Sequence, residues 1–507
     1  MSSPAQPVAE SLVQSVDWLA IAPPTLAAVV ALVVLVADLF VSEARKPFLG
    51  WLSVAGLAAS AALLLPLLDG DRSTFCLTGD PSACSYTADR FTLVIQFLVL
   101  GGALLAALLS VTALKDARGR LPEGEFWFLL LSSAAGAALL PASRDLATLV
   151  VALEVASLPA FALVGIRHGD RRSSEAALKF FLSSVTATAV SLMGISFVYA
   201  TTGTLYLTRI ADRIQHVDGR FDTLAQTGVV LTLVGFAFKT AAVPFHFWVP
   251  DTYIGAPLPV AAYLSVVGKA VGFSGLILVT VVALPSYADV WGPALAALAA
   301  LTMTVGNVGA LRQQATRAYS AVRLLAWSSV GQAGYLLVPI AAAAYSDDAE
   351  HAVGSTVAYA LMYAAVNLGA FAVAALVGRT SPRNRLTDYR GLYARNPLSA
   401  LLLAFFLLCL AGLPPGVIGL FAKVTVFSAA VDAGLGWLAV VMAVNVVIAL
   451  YYYLQWTTLL FRAPEGEPVE HRIPAPLTVA ITLTAVVGIA LSGAPQLVLR
   501  FADTGLF

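Results

Sequence analysis

Residues 228–251 read Gly228-Val-Val-Leu-Thr-Leu-Val-Gly-Phe-Ala-Phe-Lys-Thr-Ala-Ala-Val-Pro-Phe-His-Phe-Trp-Val-Pro-Asp251. A run this apolar is of membrane-spanning length, because about 20 helical residues cross a hydrocarbon core of ~30 Å. Yet it carries Lys239 in its middle. Pro244 frees the carbonyl four residues before it, so the helix is expected to unwind or kink there, with Pro250 marking the same interruption. Broken backbone at that depth is tolerated only where protein buries it or where it lines a water-filled cavity. A second stretch, Ala411-Gly-Leu-Pro-Pro-Gly-Val-Ile-Gly-Leu-Phe-Ala-Lys423, places Pro414 and Pro415 after Gly412 and again carries a lysine. Both stretches read as pairs of half-helices.

The rest of the chain fits that reading. Of its 507 residues 59% are hydrophobic and only 11% charged, where soluble domains run near ~25% charged. This excludes a water-soluble enzyme. Lys+Arg and Asp+Glu both total 29, so no excess positive charge is available to grip nucleic acid. The three cysteines, Cys76, Cys84 and Cys409, form no CxxC pair, too few for an iron–sulfur cluster or a Cys-rich zinc site. No metal site is therefore expected. The first seventeen residues hold Glu10 and Asp17 but no Lys or Arg. A cleavable signal peptide needs a positive n-region, so the first apolar segment is expected to stay as a span.

Apolar windows of spanning length occur at 18–41, 47–67, 91–114, 125–142, 145–166, 177–201, 228–247, 257–284, 291–311, 320–344, 352–378, 398–432, 436–460 and 474–498. The expected fold is all-α, a polytopic membrane protein of about 14 transmembrane helices. Spans seven and twelve, the two interrupted ones, lie five apart. A shift of five helices reverses orientation, so helices 4–8 and 9–13 are expected to form two inverted repeats, each with one discontinuous helix. The chain then divides into 1–124 (helices 1–3), 125–284 (first repeat), 291–460 (second repeat) and 461–507 (helix 14).

Charge placement carries the functional signal. Once the loop residues are set aside, Arg323 at the edge of its span included, the four of the 29 basic residues left inside spans are all lysines, Lys179, Lys239, Lys269 and Lys423. No arginine is central in a span, although the chain has far more arginines than lysines. Arginine stays protonated, whereas a desolvated lysine can load and release a proton, which is what a proton path needs. The one acid central in a span is Glu154. Each such charge costs roughly 2.5–3.5 kcal/mol at mid-membrane, so a set of them points to function. The plainer readings are a structural Glu154–lysine bridge and, for Lys179 near a helix end, snorkelling to the interface. His246 on the break reads either as a relay or as a capping or water-binding residue. Trp248, Tyr253 and Tyr451 to Tyr453 read as interface or packing aromatics.

These segments carry a resemblance. Asp145-Leu-Ala-Thr-Leu-Val-Val-Ala-Leu-Glu154, Ser174-Glu-Ala-Ala-Leu-Lys-Phe180, Phe238-Lys-Thr-Ala-Ala-Val-Pro-Phe-His246, Gly255-Ala-Pro-Leu-Pro-Val260, Arg323-Leu-Leu-Ala-Trp-Ser-Ser329 and Ala411-Gly-Leu-Pro-Pro415 occur in this order. The chain resembles the antiporter-like subunits of proton-pumping NADH-quinone oxidoreductase, respiratory complex I, which are related to subunits of multisubunit sodium/proton antiporters. It is most similar to the N-type members, given Asp17-Trp-Leu-Ala near its start, its end just after span fourteen, and Lys423 where a sister type has Glu. The resemblance implies a Glu154–Lys239 ion pair, Lys269 as the central connecting lysine, Lys423 as the terminal site and a relay role for Lys179. It also implies partner subunits that hold NADH, FMN, iron–sulfur clusters and quinone, with no cofactor in this chain, and a place in the cell (inner) membrane. Two departures stand out. Gln332 occupies the position of a common His in Ser328-Ser-Val-Gly-Gln-Ala-Gly-Tyr335, so that link is expected to run through water. One residue more than usual separates the first proline of the second break from Lys423, which in a regular helix would turn the lysine by about 100°. A sodium/proton antiporter subunit and a purely structural membrane scaffold are the competing functions.

Basic loop residues are retained on the cytoplasmic side. With the N-terminus outside, loops that face in hold eighteen Lys and Arg and those that face out hold seven, so both termini are expected to be extracytoplasmic. Cys76 and Cys84 then share an outward loop in which a disulfide and two free thiols are both possible. Reporter fusions should place 168–173 and 379–397 in the cytoplasm and 68–90 outside; an external signal from 379–397 would overturn the topology.

Overall fold

The computed structural model describes residues 16–117, 121–464, 473–503 and 505–507. Glu10 and three of the inward-loop arginines, Arg118, Arg120 and Arg472, lie outside the described residues. The chain opens with α1 (Ala22–Asp38) and α2 (Pro47–Ala62), followed by a hairpin of β1 (Arg72–Leu77) and β2 (Asp80–Ala88) and by α3 (Arg90–Asp116). The first half continues through α4 (Glu123–Leu139), α5 (Leu146–Val164), α6 (Arg171–Thr202) and the short α7 (Leu207–Ile214). The seventh crossing is split into α8 (Asp222–Thr240) and α9 (Trp248–Gly255). The eighth runs from α10 (Leu258–Tyr263) through a π-helical turn (Leu264–Gly268) into α11 (Lys269–Ile277) and a second π-helical turn (Leu278–Ala283).

The second half begins with α12 (Ala288–Leu311), α13 (Ser320–Ala342) and α14 (Ala349–Thr380). A connection containing α15 (Leu392–Arg395) leads to the second split crossing, α16 (Pro397–Ala411) and α17 (Val417–Asp432). Then come α18 (Gly436–Phe461), α19 (Ala475–Gly493) and α20 (Gln496–Asp503). Among the described residues, 12 helices are long and apolar enough to cross a membrane. The 17-residue α1 and the split α16–α17 supply the remaining two of the fourteen crossings.

Several helices start where a side chain replaces the missing acceptor of the first turn. Asp89 accepts from Thr92 N–H at 2.9 Å, Asp145 from Thr148 N–H at 2.8 Å, and Asn396 from Ser399 N–H at 3.2 Å. Small residues let the helices close on one another. Gly272 of α11 faces the backbone nitrogen of Thr240, and Gly419 of α17 faces the carbonyl of Cys409, so a Cβ at either position would overlap backbone. Each split helix is thereby held tightly at its break.

Ion pairs tie the connections together at the two ends of the bundle. On the hairpin side Arg72 pairs with Asp17 at 2.9 Å, Arg144 with Asp89, and Arg209 with Asp80 at 2.5 Å. The hairpin places Cys76 opposite Cys84, joined as a disulfide. Its buried Tyr86 donates to the Ala20 carbonyl at 3.0 Å. At the other end Arg379 forks onto Asp116 at 2.6 and 3.1 Å, and Lys46 reaches Asp38 at 3.4 Å and Glu43 at 2.8 Å.

The two breaks share one backbone geometry. α8 ends on Ala241 with φ 69°, and α16 ends on Gly412 with φ 84°. The following amides, of Ala242 and Leu413, each close back at 2.9 Å, onto the carbonyls of Ala237 and Leu408, the Schellman pattern of helix ends. Pro244 and Pro415 follow the left-handed residue by three positions. Pro250 does not break the helix. It falls in the first turn of α9, where its missing N–H has no partner to lose.

Left-handed backbone is free to glycine but costs other residues roughly 1–2 kcal/mol. Gly412→Ala should therefore lower the unfolding midpoint of the detergent-solubilised protein, whereas Ala241→Gly should not. An equal loss in both would contradict the shared geometry.

Candidate functional site

Three of the four in-span lysines are buried, and they sit at or beside the breaks. Lys239, the last residue but one of α8, is 6% exposed. Its Nζ lies over the rings of Phe161, Phe180 and Phe238 at 5.0, 5.1 and 5.6 Å from their centroids. Trp248 of α9 stacks on Phe180 at 4.3 Å. No hydrogen bond or ion pair reaches Lys239 Nζ among the described residues. The ion pair with Glu154 expected from the resemblance is not closed, because the rings occupy the space around the ammonium and Thr188 Oγ1 donates to Glu154 Oε1 at 2.7 Å. Lys239 also lines a cavity of about 20 Å³ with Ser133, Ser157 and Tyr263, room for a single water. Across it Tyr263 donates to Ser133 at 2.9 Å, and Ser133 donates to the Ala156 carbonyl at 2.6 Å.

A helix that stops inside a bundle leaves carbonyls without partners. Lys269 Nζ donates to the Thr240 carbonyl at 3.1 Å, the last carbonyl of α8. Lys423 Nζ donates to the Leu410 and Ala411 carbonyls at 2.7 Å each, the last two of α16. With Ala241 and Gly412 superposed, Thr240 and Ala411 are equivalent, so two lysines from different elements serve the same position of the two breaks. A cation there also complements the negative end of the helix dipole. Gly412 makes the second contact possible, since a Cβ would stand 3.2 Å from Lys423 Cδ. The extra residue before Lys423 does not turn it outward: it is 5% exposed. Lys269 follows directly on a π-helical turn, a feature frequent at functional sites.

Between these lysines runs a buried chain of hydroxyls and amides. Ser265, one turn before Lys269, accepts at Oγ from Asn367 at 2.7 Å, and its carbonyl accepts from Tyr363 at 3.2 Å. Tyr363 Oη also lies within hydrogen-bond distance of Ser329 Oγ at 2.9 Å, and Tyr253 lies 3.4 Å from that same serine hydroxyl. The neighbouring Ser328 meets Tyr453 at 2.5 Å. Gln332 donates to Tyr453 at 3.2 Å and accepts from Tyr359. Tyr359 packs 6.0 Å from Tyr335, whose ring lies 5.5 Å from Lys423 Nζ. Tyr253 and Tyr453 are thus buried members of a polar network, and Tyr452 donates to Asn307 at 2.9 Å. Only Tyr451, 62% exposed, fits the reading as an interface aromatic. The sequence signal that could have found them is the helical spacing of Ser328, Ser329 and Gln332 in an otherwise apolar span.

Lys179 stands apart from the buried lysines. Its half-exposed side chain pairs with Glu175 at 2.7 Å and with Asp251 of α9 at 2.8 Å. His246 lies in the first break with its ring 5.5 Å from Trp327, and the hydrogen bonds from Ser265 to Gln332 do not pass through it. Cys76 and Cys84 lie in the hairpin, away from this chain of groups.

The comparisons with known proteins fit this geometry. The family model described as NADH:quinone oxidoreductase/Mrp antiporter, transmembrane, matches residues 143–449. The chain belongs to this family. A relative from Streptomyces griseus named NADH-quinone oxidoreductase subunit N 2 is 76% identical, over 98% of this chain and 96% of its own length. Among solved structures, a chain of respiratory complex I from Thermus thermophilus is 31% identical with a TM-score of 0.77, covering 95% of this chain and 100% of that one. A chain of the Mrp complex from a Dietzia species shares the fold at a TM-score of 0.81 and 22% identity, over 96% of each. As a member of this family the chain is a multispanning membrane subunit of a larger complex.

Gln332→Ala would leave the Tyr359 and Tyr453 hydroxyls without their amide, a cost of about 1–3 kcal/mol for buried polar groups. Thermal unfolding should show that loss, while proton pumping by the assembled complex should fall only modestly, because no titrating group is removed.

Proposed function

We propose that this chain is a proton-translocating membrane subunit of an NADH-quinone oxidoreductase. Quinone reduction elsewhere in the complex would supply the energy, and partner subunits would hold NADH, FMN, iron–sulfur clusters and quinone. The complex would sit in the cell's inner membrane with both termini of this chain extracytoplasmic. The observation that carries the reading is the row of Lys239, Lys269 and Lys423, each buried at or beside a helix break, with buried hydroxyls and amides lying between them.

In this reading Lys239 is the exchange site of the first repeat, 125–284, and Lys423 that of the second, 291–460, with Lys269 connecting them. Three ring faces hold the Lys239 ammonium loosely, and no acceptor locks it in place. Glu154, held by Thr188, acts on Lys239 through its field and not through a bond. A proton leaving Lys239 would move through the small cavity beside Tyr263 towards Lys269, then along Tyr363, Ser329, the adjacent Ser328, Tyr453 and Gln332 to Lys423. Lys179, with Glu175 and Asp251, forms the cytoplasmic mouth, and His246 in the break is a possible side relay. Moving one charge against 100 mV costs about 2.3 kcal/mol, within the reach of a modest change in the field at one lysine.

The test separates a proton carrier from a scaffold. Quinone-coupled proton uptake in vesicles, normalised to assembled complex, should fall to less than about a tenth for both Lys239→Arg and Lys239→Ala, because Arg keeps the charge but does not release its proton. Glu154→Gln should impair pumping less than either. Wild-type pumping by the Arg variant would sink the carrier assignment, and uptake that depends on sodium would favour antiport.

A further inference from the structure

A large cavity lies away from the buried lysines. About 910 Å³ in volume, it is bounded by the start of α2, the last turns of α3 and α14, and the residues leading into α19. All of these ends lie on the face that the basic-residue count assigns to the cytoplasm.

Its wall has two characters. Trp51, half exposed to the surroundings of the bundle, and the partly buried Val111 form an apolar side, where the buried Leu376 also borders the cavity. The other end is polar and holds Lys115, Asp116, Arg379 and Thr112. The forked Arg379–Asp116 pair neutralises two of these charges, leaving the ammonium of Lys115 as the net charge among the described lining residues. Thr112 is 6% exposed, and its hydroxyl has no hydrogen-bond partner among the described residues. Most helical Ser and Thr hydroxyls here turn back to a carbonyl of the preceding turn, as Ser110 does to Ala106 at 2.7 Å.

We propose that this cavity is a binding site for one phospholipid of the cytoplasmic leaflet with a singly anionic headgroup. The phosphodiester would lie against Lys115 and Thr112, and the acyl chains would run past Val111 and Trp51 into the bilayer. Basic pockets between membrane helices on the cytoplasmic side recognise anionic headgroups in this way, and a tryptophan at headgroup depth suits the boundary between chain and head. A free anion would leave the apolar wall uncovered. Asp116, fixed by Arg379, opposes a second negative charge and would accept from hydroxyls of a glycerol headgroup. The site matches phosphatidylglycerol in charge and in shape.

The test uses the whole complex in nanodiscs containing a photoactivatable phosphatidylglycerol. Crosslinks on this chain are mapped by mass spectrometry and normalised to assembled complex. Peptides covering 47–51, 111–116 and 376–380 should be labelled, with labelling at least about fivefold lower in Lys115→Gln and reduced in the near-isosteric Thr112→Val. Unlabelled phosphatidylglycerol should compete, whereas phosphatidylcholine and inorganic phosphate should not. Equal labelling by a phosphatidylcholine probe, competition by phosphate alone, unchanged labelling in Lys115→Gln, or a neighbouring subunit crosslinked in the cavity would each overturn the proposal.

Discussion

A helix that ends inside a membrane must find partners for carbonyls that water cannot reach. That requirement organises the centre of this protein. Each break ends in a left-handed residue whose successor closes back on the helix, and the carbonyls still open are taken by a lysine. Lys269 and Lys423 thereby gain hydrogen bonds at a depth where an isolated ammonium would be costly. The breaks gain a cation at the negative end of a helix dipole. Neither group is comfortable there without the other, and glycines at 272 and 419 let the backbones close around the pair.

Lys239 is the exception, and the contrast is informative. It belongs to the helix that breaks, two residues before the left-handed turn, so it cannot reach the carbonyls its own helix exposes. It is enclosed by the rings of Phe161, Phe180 and Phe238, with Trp248 behind them. Lysines held by carbonyls and a lysine held only by ring faces differ in how readily small changes nearby alter their charge. The hydroxyl and amide series through Tyr363, Tyr453 and Gln332 contains no lysine, histidine or carboxylate, so protons crossing it would need reorientation of hydroxyls.

The lysines were legible because an ionisable side chain in an apolar span is conspicuous, and the breaks because proline removes a backbone donor. The geometry around them was less so. Glu154 and Lys239 read as a bridge from their types and depth, but a sequence does not show that three rings stand around the lysine. Pro250 read as part of the break because proline position within a half-helix depends on where the next turn begins. Tyr253 and Tyr453 read as packing because tyrosine is common at membrane interfaces, and only the tertiary fold turns their hydroxyls towards Ser329 and Gln332. The hairpin before α3 escaped notice because the residues that hold it in place, Asp17 and Ala20 ahead of α1 and Arg144 after α4, are remote from it in sequence.

The two carbonyl-bound lysines reach equivalent positions by different routes. Lys269 comes from a neighbouring helix, so a slide of α11 along α8 would part it from Thr240 while the break kept its shape. Lys423 comes from α17, the continuation of the interrupted helix, so its bonds to Leu410 and Ala411 open only if α17 pivots on the short segment holding Pro414 and Pro415. One contact answers to shear and the other to hinge bending. A displacement of the membrane-embedded helices could therefore act on one lysine without acting on its counterpart.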